Sequence, residues 1–433
     1  MGDTNVEMLS EENYIKTFLH HLGTFSWDKA KEFVEKKQKL IPVPLQVALS
    51  TLAQNEKIYY SMEFLEQRSW FGRKDPLKNG YSTLQSTFLN IEKQEIGTDA
   101  QESSILSTIC LQLSDFCAAR RECINMYMQI PKTSMLTSLD SLTDELQVLV
   151  DSYTGKFDCP ALNDLQEMLV DEMTAILSLY QASQSISNWL FVDSVHHLQE
   201  VYEILEKWKP ILGKHQNSSF RSGFFGFGER SSASTSTLYS WMDKFFKALV
   251  SKFTFYFYEN LSQSAAKHDD LKSELKTGLS KISYDFVSKS LHFAKKNDVQ
   301  NIFLLLDTHK SQTVPEHGYT FPEPNLNPVV TSPAEDFTCV LTLPETSATS
   351  FSFAKAGIYE KAEELEQEKI VTLQNGDKKG TCFCAQIDRR MFLVILFNQA
   401  KSEKDHTFAT FFNDILNHLR LKKVALLIKP GSK

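Results

Sequence analysis

The residue types able to bind, attack or move a proton are present in this chain, but few stand at a useful spacing. Cys382 and Cys384 are two apart in an apolar stretch, so on a strand their thiols share one face. A zinc site needs about four ligands. No second Cys or His pair follows at finger spacing, so the two cysteines read as small buried hydrophobes. His20-His21 and His196-His197 fall in helical stretches, where neighbours diverge by about 100° and cannot share a metal. His268-Asp269-Asp270 reads as a polar helix end. Gly223, Gly226 and Gly228 make the one Gly-rich loop; it lacks the Lys-Ser/Thr of a phosphate cradle, follows no strand, and has Phe where a nucleotide would approach. Glu11-Glu12 and Glu363-Glu364 lie on faces that read as solvated helix. No HExxH, GxSxG or kinase-type set occurs. The residues thus name no catalytic group, no cofactor-binding group and no metal ligand, and no nucleophile–base–orienter set can be assembled.

The elements that would position any site are organised around Leu238–Leu261, LYSWMDKFFKALVSKFTFYFYENL. Trp241, Phe245, Leu249 and Lys252 follow a helical step, as do Phe246, Val250, Phe253 and Phe257. A strand over Phe253–Tyr258 is the alternative, since aromatic residues favour sheets. A periodic run above about twenty residues favours one helix, apolar on nearly every side and buried on nearly every side.

Ahead of it the pattern is helical throughout. Ser10 heads a first run through Tyr14, Phe18 and Leu22 to Gly23, and Ser26 heads a second. After the Pro42 and Pro44 break, Leu45–Gln67 is helical, followed by Tyr81–Lys93. Gln101–Ile130 carries Ile105, Ile109, Leu113, Phe116, Cys123 and Tyr127 as a 3–4 stripe. Leu139–Tyr153, a run from Leu162 to Ser183, a corner at Asn188–Phe191 and Val195–Trp208 ending before Pro210 complete a bundle. Residues 214–237 are rich in Ser, Gly and Thr and read as a loop. Its Phe220, Phe224, Phe225 and Phe227 either fold back on the bundle or dock a partner.

Beyond the central helix the period changes. Leu271–Lys295 is amphipathic helix, then Asn301–Asp307 is a continuous apolar run, a buried strand. Residues 308–336 are Pro-rich loop. Phe337–Leu343, Ile370–Gln374, Thr381–Ile387, Met391–Phe397 and Val424–Ile428 read as strands. Lys355–Glu368 reads as helix, and Ser402 caps another reaching Arg420. The fold class is α+β: an N-terminal all-α bundle over residues 10–270, then an α/β domain over 271–433 whose element order is similar to the roadblock, longin and profilin-like scaffold. That likeness concerns the fold and names no site.

The totals are those of an ordinary globular protein and do not by themselves name a function. The 433 residues are 42% hydrophobic and 23% charged, with 31 Phe and a net charge of −8, and the pI near 5.8 argues against a nucleic-acid binder. Acids and bases read as interspersed. No apolar run approaches the ~18 residues of a membrane span, and the polar, acidic start lacks a signal-peptide pattern. Seven scattered Cys fit a reducing compartment. The expectation is a cytoplasmic protein without direct membrane insertion, reaching any membrane through partners.

Several stretches, in register from end to end, resemble one family. They are His21–Lys31 with Val34-Glu35-Lys36, Phe71–Asp75, Ser187–Phe191, Lys252–Ser262, His317-Gly-Tyr319, Ser402–Asp405 and Lys429-Pro-Gly431. Together they resemble the KICSTOR complex subunit 2 family. The resemblance implies a non-enzymatic scaffold with no cofactor. Its protein partners would be a kaptin-like protein, an integrin-alpha FG-GAP repeat protein and the seizure threshold 2 protein. Through them it would place GATOR complex 1, which acts on Rag GTPases, at the lysosomal surface. Amino-acid or glucose shortage would then inhibit mTOR complex 1. A homodimer is left open, as are a longin-like trafficking adaptor and an enzyme with a site in the cleft between bundle and α/β domain.

Overall fold

In the computed structural model, the residues described are 3–36, 41–66, 75–96, 105–132, 139–219, 236–267, 269–309, 336–344, 352–373, 380–402, 405–426 and 428. The loop readings at 220–235 and 310–335, with the four Phe and the Gly-rich motif, lie outside them, as do Phe71–Lys74 and Gln374, the last residue of the predicted strand Ile370–Gln374.

The N-terminal part is helical, as the 3–4 stripes predict. Helices α1 (Asp3–Gly23), α2 (Trp27–Lys36), α3 (Val43–Ser61), α4 (Pro76–Ile96) and α5 (Ile105–Gln129) are followed by α6 (Leu139–Tyr153), α7 (Asn163–Ser187) and α8 (Phe191–Ser219). Helix α1 begins at Asp3, so Ser10 is not its cap. It ends in a left-handed Phe25 (φ 56°), with Phe25 N and Ser26 N bonding back to the Leu22 and His21 carbonyls, and glycine at 23 admits the Asp164 carbonyl oxygen, which would lie 2.5 Å from a Cβ there. Ser26 directly precedes α2, and its carbonyl accepts from Ala30 N at 2.9 Å. Helix α3 stops at Ser61 rather than Gln67, because Met62 turns left-handed (φ 60°) and bonds back to Tyr59. The corner after α7 is made by Trp189 (φ 62°), held there by stacking on Phe257 at 4.3 Å. Helix α8 continues through Pro210 to Ser219. The proline costs a backbone bond, which the buried Trp208 and Leu212 beside it offset by packing.

The aromatic stretch is helical, and the strand alternative falls. It is not one helix, however: α9 (Thr237–Tyr256) ends at Phe257 and α10 (Tyr258–Ala266) begins anew. Ser236 caps α9, its hydroxyl accepting from Tyr239 N at 3.3 Å and donating to the Tyr60 carbonyl at 3.2 Å. Only Lys244 and Lys247 of α9 are exposed. The predicted Leu271–Lys295 helix is two, α11 (Asp269–Leu279) and α12 (Phe286–Lys296), the second capped by Asp285.

The strands are β1 (Val299–Asp307), β2 (Phe337–Leu343), β3 (Val371–Leu373), β4 (Cys382–Asp388) and β5 (Met391–Phe397), joined antiparallel in the order β2-β1-β5-β4-β3. The predicted Lys355–Glu368 helix is divided into α13 (Ser352–Glu360) and α14 (Ala362–Glu366). Asp405, not Ser402, caps α15 (His406–Leu419), accepting from Thr407 N and Phe408 N. The predicted strand Val424–Ile428 is instead the short helix α16 (Lys422–Leu426). The Val424 carbonyl accepts from Trp241 Nε1 of α9 at 2.9 Å, so packing on α9 and not a ladder partner takes up this segment.

Side chains alternate across the sheet. Phe303, Leu305, Val394 and Leu396 face Ala354, Ile358 and Leu365 of α13–α14. Ile302, Leu304, Leu393 and Ile395 face the other way and join a core that also contains the bundle interior. Helix α7 packs against α1, α6, α8 and α9 within the bundle; α9 packs against α3, α7 and α8 on one side and α12 and α16 on the other. Helix α9 is therefore the junction of bundle and sheet. The architecture is α+β.

Candidate functional site

The sequence-level candidates do not converge. His20 Nδ1 turns to Asp164 Oδ2 at 2.7 Å, leaving the His21 ring 6.1 Å away, where burial lowers the His21 pKa. The His196 and His197 rings stand 5.5 Å apart. Cys382 and Cys384 share the α13–α14 face, as their spacing predicts, and burial pushes both thiols up. Glu364 pairs with Lys361 at 3.0 Å, and Glu11-Glu12 lie on α1. Asp269 and Asp270 are exposed at the start of α11. Among the described residues no group of three His, Cys, Asp or Glu side chains could hold a metal ion.

What the structure does bring together is a charge network inside the bundle. Arg120 on α5 lies between Glu56 on α3 and Glu172 on α7, all three without solvent exposure. Its Nε and Nη2 donate to the two oxygens of Glu56 at 3.0 and 2.8 Å, and Nη1 donates to Glu172 at 2.7 Å. Four phenols complete the shell. Tyr59, Tyr60 and Tyr127 donate to Glu172 at 2.5, 2.8 and 2.9 Å, and Tyr81 donates to Glu56 at 2.7 Å. The guanidinium also lies 4.2 Å from the Tyr59 ring centre. Glu172 thereby fills the roughly four acceptor positions of a carboxylate.

Two carboxylates against one cation leave one negative charge unmatched. Burial pushes the Glu56 carboxyl above its ordinary range, against the pull of Arg120. Burial alone would lower the Arg120 guanidinium, but Glu172 and Glu56 hold it well above its usual value. Burial also raises the four phenols, so they stay protonated donors. The arrangement is closed to solvent, with four donors on Glu172 and three on Glu56. It can clamp α3, α4, α5 and α7 in register.

Position in the stripe could have found it. Arg120 fills the gap between Phe116 and Cys123 in the apolar stripe of α5, where a buried cation requires buried anions. The same signal marks Lys252, on the apolar step of α9. Lys252 donates to Asp388 Oδ1 at 2.7 Å, and the Tyr256 hydroxyl donates to the other oxygen, all buried where the β4–β5 turn meets α9. Nearby, Trp241 Nε1 donates to the Val424 carbonyl at 2.9 Å, and Arg420 donates to the Gln386 and Glu368 carbonyls.

These contacts lie across the junction of bundle and sheet. A depression of about 550 Å³ lies elsewhere, beside β3, lined by Lys361, Glu364, Glu368, Lys369, Thr372 and Asn413 among others. Two stretches that carry the family resemblance, Ser187–Phe191 and Lys252–Ser262, do meet: Phe191 contacts Phe253 and Phe257 at ring distances of 5.3 and 5.1 Å. No helix among the described residues is long and apolar enough to cross a membrane.

The model of the family described as "KICSTOR complex C12orf66 like" matches residues 6–433. Among relatives, the chain is 28% identical to KICSTOR subunit 2 of Xenopus laevis over 448 residues, covering 99% of each protein. It is 27% identical to KICSTOR subunit 2 of Danio rerio, covering 98% of this chain and 96% of that relative. With a match running through the bundle, the α9 junction and the sheet alike, the chain belongs to the KICSTOR complex C12orf66 like family.

Proposed function

We propose that this chain is a non-enzymatic scaffold subunit of a KICSTOR-type assembly. The observation that carries the reading is the family match over residues 6–433, with end-to-end similarity to proteins named KICSTOR subunit 2. The interior supports it: Arg120 with Glu56 and Glu172, and Lys252 with Asp388, are buried pairs that hold elements together. In this reading the partners are a kaptin-like protein, an FG-GAP repeat protein and the seizure threshold 2 protein. The assembly brings GATOR complex 1, which acts on Rag GTPases, to the lysosomal surface, so that amino-acid or glucose shortage inhibits mTOR complex 1. The chain itself stays cytoplasmic and reaches the lysosome through those partners. We read residues 10–270 and 271–433 as two domains, the second of roadblock or longin type, a reading supported by the antiparallel order β2-β1-β5-β4-β3 with helices on both faces.

The test is purification of the tagged full-length chain from nutrient-starved cells of its own source, followed by mass spectrometry. Recovery of those three partners, and loss of starvation-induced mTOR complex 1 inhibition when the chain is deleted, are the expected results. A well-folded chain that brings down none of the three would overturn the proposal.

A further inference from the structure

The charges are not evenly interspersed. Between Leu139 and Glu206 the chain carries 13 Asp and Glu against a single Lys, Lys156, and no Arg. All other positions together carry 45 Lys and Arg against 41 Asp and Glu, so this stretch alone makes the protein acidic. It folds as α6, α7 and the first half of α8. Helices α6 and α8 both pack on α7. Gln181 and Gln184 of α7 donate to Gln147 and Asp140 of α6 at 3.4 and 2.7 Å, and Ser178 donates to Glu200 of α8 at 2.5 Å. The product is a three-helix layer whose outer face is ridged by α6 and α8, with the half-buried Thr174 and Gln181 of α7 between them.

Two features coincide on that face. On α6, the exposed Asp144, Glu145 and Asp151 surround Val148, which is 65% exposed. On α8, Val192 is 57% exposed and shares the outer side with the exposed Val195 and Glu203. Other acids of the layer are engaged, Glu167 and Asp171 with Lys207, and Glu206 with Lys209. Among the described residues, no Lys or Arg comes within ion-pair distance of Asp144, Glu145, Asp151 or Glu203. Asp151 and Glu203 receive only neutral hydrogen bonds, from Gln147 and Gln199 at 2.9 Å each. Like charges one turn apart on a helix repel each other, and cations brought to the face relieve that repulsion. Branched apolar side chains held in water between them add a gain on burial. An anionic lipid surface or a nucleic acid would meet the same repulsion. The complement is a protein surface that is cationic and apolar at once.

We propose that the outer face of α6–α8 docks a basic amphipathic helix supplied by another subunit of the assembly. Its Lys and Arg meet Asp144, Glu145, Asp151 and Glu203, and its apolar side chains cover Val148 and Val192. The inference rests on the reading of this chain as a subunit and adds which face is used and what chemistry meets it.

The test uses the tagged full-length chain and a variant carrying Asp144→Lys, Glu145→Lys, Asp151→Lys and Glu203→Lys. A zero-length carboxyl–amine crosslinker is applied to the wild-type assembly. Crosslinks should join these carboxylates to Lys residues on one helix of one subunit. The variant, at an unchanged melting temperature, should recover that subunit at least about tenfold less well. Should the reversed variant lose its melting transition, Val148→Thr with Val192→Thr leaves the charges in place and should weaken the same subunit. If the wild type brings down its assembly and every variant brings down as much, the docking face is refuted while the subunit role stands. If the wild type brings down no assembly, the subunit reading has failed and this inference with it. Cosedimentation of wild type with phosphatidylserine vesicles, abolished by Val148→Thr with Val192→Thr, would assign the face to a membrane and overturn the proposal.

Discussion

Arg120 shows how much can depend on one side chain. Substituting it by Ala leaves Glu56 and Glu172 facing each other in a dry interior, and breaking a buried pair in this way costs about 3–5 kcal/mol. Domain stabilities are about 5–15 kcal/mol, so Arg120→Ala should lower the urea midpoint drastically or prevent folding. Tyr127→Phe, which removes one of four donors to Glu172, should cost only about 1–3 kcal/mol and serves as the graded control. Glu56 also makes a pH prediction. Its carboxyl is raised in the fold, so the folded state binds that proton more tightly than the unfolded chain does. The resulting stabilisation is complete below the ordinary value of 4.5 and is lost as pH rises through the raised value. Urea unfolding of wild type and Glu56→Gln should therefore diverge in favour of wild type as pH falls from about 8 to about 5. An unchanging gap would show that the unmatched charge sits elsewhere. At this scale the sequence was half legible: Glu56, Arg120 and Lys252 stand on apolar stripes, but which anion meets which cation depends on helices more than fifty residues apart.

Among the elements, α9 carries the junction. Lys252→Met leaves Asp388 buried with Tyr256 as its remaining donor and should cost about 3–5 kcal/mol. Adding Asp388→Asn should recover a large part of that loss, and a double-mutant cycle measures the coupling; additivity would mean the pair contributes nothing specific. Ser236→Ala should cost about 1 kcal/mol and shorten α9 at its start, visible as faster amide exchange at Tyr239. Element identity was readable wherever periodicity ran long, as in α5, α6 and α7, or wherever an apolar run was short and bounded, as in β1 and β2. Boundaries were not. Met62, Trp189 and Phe257 end or bend helices without a Gly or Pro to announce it, because burial of Met62 and stacking of Trp189 on Phe257 hold the turns. Val424–Ile428 has strand composition, yet its first residues coil into α16, where Val424 is buried and its carbonyl accepts from Trp241 on α9.

Taken as one molecule, the bundle and the inner sheet face share a single hydrophobic core, and the buried Lys252–Asp388 pair lies across their contact. Unfolding should therefore be one cooperative transition, with calorimetric and van't Hoff enthalpies equal. Two resolved transitions would separate the two parts energetically. Expressed alone, residues 271–433 should aggregate, because the sheet face that α9 helps cover would be open to water. The acidic layer also belongs to this scale: its charge asymmetry is visible in the sequence when read segment by segment and invisible in the whole-chain net charge.

Composition and periodicity by themselves determined the α+β class and the run of helices before the strands. These are local properties, set by side-chain spacing of 3.6 or 2 along the chain. The tertiary structure decided what no spacing encodes. It set the pairing of Arg120 with Glu56 and Glu172, the bend at Phe257, the fate of the last apolar segment, and the gathering of α6, α7 and α8 into one acidic face. Each of those depends on long-range burial, where the cost of an unmatched charge or an unpaired backbone group selects among arrangements that are locally equivalent.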